Sequence, residues 1–388
     1  MWEITIDRGF LGVQDPLRNL VAKNEKYIPL IARLENIPYG LAHWIEERKL
    51  REELVSQLRD VSHLIDEDFF TTLDEVSYER LMHLYSYMAS AYVYAKHELP
   101  ANRLPCEIAI PLVRVAEHLG RKPILSYASY CLTNWERKIG GSLDVNPICL
   151  ENINLMTNFC TPEVGKQDED WFILIHVEIE ACASQGVFAC KRLLKNSCFS
   201  EKEAFDILNE INFSLCNMNE TLERMPEQCS PDNYFRWVRP YIWGFKDVVY
   251  EGCFENQPQT FRGETGAQST IIPVFLAALG IRHKNSMLTQ HLEEMRDYMP
   301  KPHREFLQNL LIQQDATSVL REMAKNSVQL REIYNECISN IVRFRSKHFE
   351  YAMNYIYNKV DSQEGTGGTP YVPWLKHLKE ETEEHILS

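Results

Sequence analysis

The residues with the clearest chemical potential lie near the C-terminal end of the chain, in the segment from Cys337 to Lys359. Helical spacing of three and four residues places Arg345 and His348 on the same face as the apolar residues of this segment. A histidine on such a face can be an ordinary hydrogen-bonded core residue, whereas a buried arginine requires an anionic partner. The pair suits a haem, because the imidazole can bind iron and the guanidinium can pair with a propionate.

A second histidine, His176, lies in the middle of an apolar segment from Trp171 to Ser184. Phe172 lies one helical turn before it and Glu180 one turn after it. The segment is apolar almost all round, which is typical of a central buried helix, although the alternation over 177–180 leaves a strand as an alternative. His176 is therefore either a hydrogen-bonded core residue or a functional group inside the protein.

A third segment, Asn233 to Phe245, combines several aromatic residues with Arg236 and Arg239. Interleaved aromatic and arginine side chains can stack on nucleic-acid bases. The chain is acidic, however, and a planar aromatic ligand that carries a carboxylate fits better. The rings would hold the plane of such a ligand, and one arginine would bind the carboxylate with two parallel hydrogen bonds.

Composition excludes several other classes of function. The 388 residues include 41 Lys and Arg against 55 Asp and Glu, a net charge of -14, with no basic patch for nucleic acid or an anionic membrane. No apolar run approaches the roughly 18 residues of a membrane-spanning helix, and the N-terminus does not resemble a signal peptide. Eleven cysteines contain no Cys-x-x-Cys pair. We therefore expect a reduced, cytoplasmic protein without a zinc ribbon.

Apolar residues recur with the period of an α-helix along most of the chain, so we predict an all-α fold. Three stripes carry this pattern most clearly: one over 81–95, one over 207–222, and one that begins at Leu307. Prolines such as Pro111 are expected between the helical segments rather than inside them. The segment 257–269 is expected to be a polar loop.

Glycines and prolines between residues 140 and 168 interrupt the helical patterns. They predict a smaller N-terminal helical domain, residues 1–155, that packs on a larger helical haem-binding domain, residues 156–388. A second glycine-rich loop, residues 364–370, has the glycine content of a phosphate cradle. It lacks the lysine and the strand–loop–helix context of a nucleotide-binding loop, so nucleotide binding is not favoured.

At these segments the chain resembles the indoleamine 2,3-dioxygenase family of haem enzymes, and the resemblance covers most of the chain. Six matching motifs occur in the family's order: Pro123-Ile124-Leu125-x-Tyr127-Ala128 with Asn134-Trp135, Tyr234-Phe235-x-x-x-Arg239, Val249-Tyr250-Glu251-Gly252 with Phe261-x-Gly263 and Gln268-Ser269, Met295-Arg296-x-Tyr298-Met299-Pro300-x-x-His303-Arg304-x-Phe306-Leu307, Arg345-Ser346-x-His348, and Gly365-Thr366-Gly367-Gly368-Thr369.

The resemblance implies a role for each matching residue. His348 would be the proximal ligand of haem b iron, and Arg345 would pair with a propionate. Arg239 would hold the carboxylate of the amino-acid substrate with help from Thr366. The remaining residues would form the substrate pocket and its loop: Phe172, Tyr127, Tyr130, Cys131, Phe235 and Ile242 around the indole, and Gly263, Thr265 and Gly266 as backbone near the substrate or cofactor.

The chain departs from the mammalian members of the family at one position. When Phe172 and Glu180 are aligned with them, His176 stands where they carry a small serine. A distal histidine with the spacing Phe-x-x-x-His-x-x-x-Glu is instead typical of the related tryptophan 2,3-dioxygenases. His176 is therefore expected to be a catalytic residue over the distal face of the haem, hydrogen bonded to the indole nitrogen.

The resemblance implies a dioxygenase that inserts both atoms of O2 across the indole C2–C3 bond of L-tryptophan to give N-formylkynurenine. The sequence does not decide the oligomeric state, and a monomer is favoured. Haem b is the implied cofactor, O2 the co-substrate and a small indole the only implied partner. Two alternatives stay open at this point. One is a haem enzyme that oxidises another indole or acts as a monooxygenase, and the other is a non-catalytic sensor that binds haem or indole.

Overall fold

Helices make up most of the structure, as the periodicity of the apolar residues predicts. The computed structural model describes residues 1–96, 98–138, 147–195, 198–313, 318–359 and 371–388. The α-helices of these residues are α1 (Ile28–Glu46), α2 (Leu50–Arg59), α3 (Glu67–Thr71), α4 (Glu75–Val93), α5 (Cys106–Leu119), α6 (Lys166–Cys182), α7 (Ser184–Leu193), α8 (Glu201–Glu223), α9 (Pro231–Asn233), α10 (Ile271–Leu279), α11 (Met287–Met295), α12 (Lys301–Gln313), α13 (Val319–Asn326), α14 (Val328–Tyr355) and α15 (Tyr371–Glu383).

Five short strands accompany the helices in the described part of the chain: β1 (Arg103–Leu104), β2 (Trp135–Arg137), β3 (Ile153–Leu155), β4 (Phe245–Tyr250) and β5 (Pro258–Phe261). They form a three-stranded sheet in the order β1-β4-β5 and a two-stranded antiparallel sheet of β2 and β3. β1 runs parallel to β4, and β5 antiparallel to it. The sheets are small connections between helices, and the predicted all-α fold is confirmed.

The two longest helices, α8 and α14, pack along each other. Ser200 begins α8 with a reciprocal cap, in which its hydroxyl accepts the Glu203 N–H and the Glu203 carboxylate accepts the Ser200 N–H. Such a cap satisfies backbone donors that would otherwise lack a partner. The apolar stripe predicted over 207–222 lies within α8, and the Asn219 side chain donates to the Asn340 carbonyl of α14 at 3.0 Å. This pair positions the helix that carries His348.

Helix α6 is buried on nearly every side, which settles the choice between helix and strand for this segment. Its buried carboxylates accept hydrogen bonds from neighbouring segments. Glu169 accepts the backbone N–H groups of Phe159 and Cys160, each at 2.9 Å. Glu178 accepts the N–H of Leu150 at 2.6 Å and the hydroxyl of Thr221 at 2.9 Å. The polar groups of α6 therefore fix its place in the core.

Two expectations about local structure are wrong. Pro111 lies inside α5 rather than between helices. It is the sixth residue of that helix, so its ring removes one hydrogen bond near the N-terminal end, where few are formed. The segment 257–269 is not a simple loop either. Its residues Pro258–Phe261 pair with β4 and form β5. A 3₁₀ turn follows at Gly266–Gln268.

One hydrophobic core includes side chains from both sides of residue 155, among them Leu84 and Ile175. The N-terminal residues reach into the C-terminal half as well. Trp2 and Phe10 pack their rings against His303 of α12, with ring centres 4.9 and 4.5 Å apart. The proposed division at residue 155 stays a prediction.

No single described helix combines the length and the apolarity needed to cross a membrane. Taken together, α6 and α7 meet both criteria, with a bend of 42° between them.

A buried ion pair ties the N-terminus to this core. The Glu79 carboxylate accepts the Trp2 indole N–H at 2.7 Å and pairs with Arg121, and both charged groups are almost fully buried. Removal of one partner from a buried pair leaves an uncompensated charge. Glu67 and Arg114 form a solvent-exposed pair that serves as a matched control.

We predict that Arg121→Met lowers the free energy of unfolding by about 3–5 kcal/mol. Arg114→Met should lower it by less than about 1 kcal/mol, because exposed ion pairs contribute little. Denaturant unfolding of the three proteins measures both differences. Equal losses for the two variants would contradict the structural role given to the buried pair.

Candidate functional site

His348 of α14 has an accessible side chain, although many protein atoms surround it. Burial, the nearby His176 and the positive charge of Arg345 together lower the pKa of its imidazole to about 4. The imidazole is neutral at pH 7 and makes no hydrogen bond to any described residue, so both ring nitrogens stay available within that part of the structure.

His176 of α6 lies near His348, close enough that the two imidazoles oppose each other's protonation. Its Nδ1 lies 2.7 Å from the carbonyl oxygen of Phe172, one turn earlier in the helix. A carbonyl only accepts hydrogen bonds, so Nδ1 must carry the proton. Burial lowers the pKa of His176, although the bond to Phe172 opposes this shift. The neutral ring therefore presents Nε2 as a hydrogen-bond acceptor.

Aromatic side chains form one wall beside His176. Phe172 lies 4.7 Å from His176 and 4.7 Å from Tyr234, measured between ring centres. Tyr130 lies 6.5 Å from Phe172, and Tyr127 lies 6.0 Å from His176. The structure thus brings together three residues that the sequence assigns to an indole pocket, and Tyr234 joins them.

Two short π-helical turns carry this wall. The first covers Ala128–Leu132, directly after Tyr127, and includes the buried Tyr130 and Cys131. The second covers Tyr234–Val238 and continues into a 3₁₀ turn at Arg239–Ile242. A π turn inserts an extra residue and reorients the side chains that follow, and such turns are frequent at functional sites.

Arg239 places a positive charge in the same region. It is only 2% exposed. Its guanidinium carbon lies 4.4 Å from the ring centre of Trp243 and 5.7 Å from that of Phe235, both in the range of cation–π contacts. Burial raises the pKa of Tyr234 and the charge of Arg239 lowers it, so the arginine lies close to the aromatic wall.

The loop that follows β5 is bound to both sides of the site. The Gln268 amide donates to the Gly263 carbonyl at 2.8 Å and accepts the backbone N–H of Tyr127 at 2.9 Å. A side chain at position 263 would clash with the Ile242 carbonyl, because an added Cβ would lie 2.3 Å from that oxygen. Thr265 caps the turn at Gly266–Gln268 with its hydroxyl. At Gly266, in contrast, an added Cβ would meet no other atom within 4 Å.

Glu180 links this loop to the Tyr127 side of the wall. One carboxylate oxygen, Oε1, accepts the Tyr127 hydroxyl at 3.0 Å and the Ser269 hydroxyl at 2.9 Å. The other oxygen has no hydrogen-bond partner among the described residues. Burial raises the pKa of Glu180 to about 7, although both hydroxyl bonds oppose the shift. The carboxyl group is therefore partly protonated at neutral pH.

Arg345, one turn before His348, contacts the C-terminal helix. Its guanidinium donates to the Leu378 carbonyl and the Thr382 hydroxyl of α15, and to Nε2 of His283 at 3.1 Å. His283 in turn donates from Nδ1 to the Glu381 carboxylate at 2.7 Å. Burial lowers the pKa of Arg345 to about 10, so it remains charged at neutral pH. Its pairing with a propionate stays a prediction.

One buried residue of the site was missed from the sequence. Glu264 is 4% exposed, and burial raises its pKa to about 8. A glutamate between a glycine and a threonine in a polar segment has the pattern of an exposed loop, so no sequence signal identified it. Thr366, predicted to assist Arg239, lies outside the described residues.

The donor set fits a prosthetic group better than a bare metal ion. No cluster of three or more His, Cys, Asp or Glu side chains that could hold a metal occurs in the described ranges. His348 is a single neutral imidazole, and a porphyrin supplies the other donors that an iron ion requires. His176 lies between this imidazole and the aromatic wall, in contact with Phe172 and near His348.

We predict that Tyr127→Phe raises the pKa of Glu180 above its value of about 7. The hydroxyl of Tyr127 stabilises the charged carboxylate, so its removal favours the protonated form. Infrared difference spectroscopy at a series of pH values follows the C=O stretching band of the protonated carboxyl group and measures the shift. The band that disappears in Glu180→Gln belongs to Glu180. A pKa that is unchanged or lowered in Tyr127→Phe would contradict this arrangement.

Comparison with known proteins places these features in a family. The family model described as indoleamine 2,3-dioxygenase matches residues 1–385. The chain is 30% identical to indoleamine 2,3-dioxygenase 1 of Rattus norvegicus, over 100% of this chain and 95% of that protein. It is 30% identical to indoleamine 2,3-dioxygenase 2 of Homo sapiens over 80% of each chain. It is 26% identical to a 6-hydroxytryptophan 2,3-dioxygenase of Fusarium equiseti over 99% of this chain and 97% of that protein. The chain therefore belongs to the indoleamine 2,3-dioxygenase family of enzymes.

Proposed function

We propose that the protein is a haem-dependent dioxygenase that opens the indole ring of L-tryptophan to give N-formylkynurenine. The observation that carries this proposal is the proximity of His348 to His176, which stands beside an aromatic wall and near a buried arginine. A haem held at His348 would face the wall that suits an indole. Membership of the family gives the reaction class, and the residues of the site support this substrate.

His348 is the residue that would hold the iron. Its low pKa keeps the imidazole neutral, which is the form that binds a metal, and no described hydrogen bond competes for it. Arg345 lies one turn before the iron ligand, and its positive charge would attract a propionate. The bound haem would supply the activation of O2, and the chain would supply binding, orientation and a dry cavity.

The aromatic wall would hold the plane of the indole. Phe172, Tyr130 and Tyr234 give it apolar ring surfaces, and burial keeps water away from them. We propose that Tyr127, Cys131, Phe235 and Ile242 complete the shape of the pocket. Gly263 would leave room for close approach of the loop, and Thr265 and Gly266 would present backbone to the substrate.

Arg239 would bind the carboxylate of the amino acid. Its guanidinium is planar and matches a carboxylate with two parallel hydrogen bonds, which a lysine cannot reproduce. The two aromatic rings beside it fix its position. Thr366 is proposed to assist from the glycine-rich segment at 364–370.

His176 would accept a hydrogen bond from the indole N–H. The bond from its Nδ1 to Phe172 leaves Nε2 as the acceptor, and a neutral ring needs no proton transfer for this contact. The hydrogen bond would orient the ring relative to the haem. L-tryptophan and O2 combine into one product with no net release of a proton, so the overall balance requires no general base from the protein.

A second candidate substrate is a tryptophan with a hydroxylated ring. The Tyr130 hydroxyl is buried in the aromatic wall and has no hydrogen-bond partner among the described residues. A hydroxyl on the indole could satisfy it. One relative is named for 6-hydroxytryptophan, which agrees with this possibility. Comparison of kcat/KM for L-tryptophan and 6-hydroxytryptophan on the wild type and on Tyr130→Phe separates the two substrates.

The test of the proposed function uses the haem-loaded, reduced protein with L-tryptophan and isotopically labelled O2. We expect a Soret absorption band from bound haem and a product that carries both labelled oxygen atoms. Incorporation of one labelled atom would establish a monooxygenase. Binding of haem and indole without turnover would establish a sensor, and either result would refute the dioxygenase.

We predict that His348→Ala purifies without stoichiometric haem and loses the Soret band of an imidazole-ligated haem. The variant removes the one protein ligand to iron, so haem retention should fall more than it does in Arg345→Ala, which leaves that ligand in place. His63→Ala, at an exposed position, is the control. Wild-type haem content in His348→Ala would overturn the assignment of the ligand.

We predict that His176→Ser lowers kcat/KM for L-tryptophan by the equivalent of about 1–3 kcal/mol, the cost of an unpaired buried donor. The variant should also discriminate less against 1-methyltryptophan, in which the N–H is absent and a methyl group takes its place. The ratio of kcat/KM for the two substrates, measured on both proteins, cancels any loss of active enzyme. An unchanged ratio would show that His176 does not contact the indole nitrogen.

A further inference from the structure

We infer that Glu180 and Ser269 are positioning residues, which hold the loop 263–269 on helix α6 so that the loop and His176 form one fixed frame for the substrate. The inference deepens the proposed function and rests on it, since the loop and His176 are assigned there to the same ligand. Glu180 and Ser269 would act on substrate binding through the loop, without contact to the substrate.

Glu180 binds the C-terminal end of the loop. Its carboxylate oxygen Oε1 accepts the Ser269 hydroxyl at 2.9 Å and the Tyr127 hydroxyl at 3.0 Å. The Ser269 hydroxyl in turn accepts the backbone N–H of Ile271, the first residue of α10, at 3.4 Å. Glu180 is 1% exposed, so little water competes for these bonds. One carboxylate oxygen therefore joins the loop and the aromatic wall to α6.

The N-terminal end of the loop is held by a different segment. The Glu264 N–H donates to the Ile242 carbonyl at 3.0 Å. The Gln268 amide donates to the Gly263 carbonyl and accepts the Tyr127 N–H, which closes the loop on itself and ties it to the wall. The loop is thus anchored at both ends, and Glu180 provides the anchor that comes from α6.

The centre of the loop is more open than its ends. Gly266 is exposed, and an added Cβ there would meet no other atom within 4 Å. The Thr265 hydroxyl bonds within the loop, where it accepts the Ala267 N–H at 3.4 Å. Thr265 and Gly266 are the residues proposed to present backbone to the substrate. Loss of the Ser269 anchor would therefore free the part of the loop that is proposed to meet the ligand.

The anchor and His176 belong to the same helix. Glu180 lies one turn after His176, so the two side chains share one face of α6. The Tyr127 ring packs edge-on against His176, with ring centres 6.0 Å apart, while its hydroxyl donates to Glu180. Glu180 therefore fixes the loop relative to the histidine that is proposed to accept the indole N–H.

A second bond of the same kind on α6 gives a matched control. Glu178 accepts the Thr221 hydroxyl at 2.9 Å, and Thr221 belongs to α8 rather than to the loop. Glu178 and Glu180 are two residues apart, so they point to different faces of the helix. Both bonds join a hydroxyl to a buried carboxylate, and loss of either should lower thermal stability to a similar extent. Only the Ser269 bond should change the loop and the affinity for the ligand.

Amide hydrogen exchange of the ligand-free protein measures the loop directly. We expect Ser269→Ala to speed exchange in peptides that cover 263–269 by about fivefold to tenfold, the effect of one lost hydrogen bond on local opening. Ser269→Thr keeps the hydroxyl and should stay within about twofold of the wild type. Thr221→Val should leave exchange of the loop within about twofold as well.

The dissociation constant of L-tryptophan, measured by calorimetry on the haem-loaded protein without O2, tests the effect on the ligand. Ser269→Ala should weaken binding by about threefold to tenfold, because a freed loop has to be ordered when the ligand binds. Thr221→Val and Ser269→Thr should change it by less than about twofold. In a Glu180→Leu background, Ser269→Ala should add less than about twofold, because the partner of the hydroxyl is already absent. The Ser269 and Thr221 variants decide the question even where Glu180→Leu does not fold.

Unchanged exchange of the loop or an unchanged dissociation constant in Ser269→Ala would overturn the inference, as would equal weakening of the ligand by Thr221→Val. Full additivity of Ser269→Ala with Glu180→Leu would overturn it too. Turnover of L-tryptophan by the wild type is measured separately. Ring opening without the loop-specific pattern refutes the positioning role alone, whereas the loop-specific pattern without ring opening refutes the proposed reaction alone.

Discussion

Burial of α6 on nearly every side is the constraint on which the site depends. A helix in the centre of a protein can carry carboxylates only if each finds donors, and α6 carries four buried ones: Asp168, Glu169, Glu178 and Glu180. Asp168 accepts the backbone N–H of Ser230 and the side-chain amide of Asn233. Glu169 holds the backbone around Phe159, Glu178 holds Leu150 and Thr221, and Glu180 holds Tyr127 and Ser269. Segments distant in sequence are thereby fixed against one helix. The positions of the pocket walls follow from these bonds.

The aromatic wall combines rigid and irregular structure. Phe172 and His176 stand on the regular helix α6, so their spacing is set by one helical turn. Tyr130 and Tyr234 stand on π-helical turns, whose extra residue turns side chains in directions that a regular helix does not allow. Arg239 follows at once in a 3₁₀ turn. The pocket thus has one fixed side, and its opposite side is shaped by local departures from the α-helix.

Helix periodicity was sufficient to predict the all-α fold, and spacing along a single helix was sufficient to place Phe172 beside His176. Relations between segments could not be predicted in the same way. The contacts of Arg345 with α15 depend on how two helices meet, and the burial of Glu264 depends on a loop that crosses Ile242. Pro111 was misplaced because a proline near the start of a helix removes little hydrogen bonding, so it does not end the helix.

The hydrogen bond between His176 and the carbonyl of Phe172 has a consequence for which ring systems the proposed indole site would accept. The proton on Nδ1 is held within α6 itself, so the other ring nitrogen, Nε2, presents a lone pair. A ligand atom that also presents a lone pair meets electrostatic repulsion at that point. Benzofuran and benzothiophene isosteres of tryptophan have nearly the same outline as the indole but carry oxygen or sulfur in place of the N–H. If His176 contacts the ligand as proposed, the polarity of one helical turn would discriminate between heterocycles that shape alone would admit.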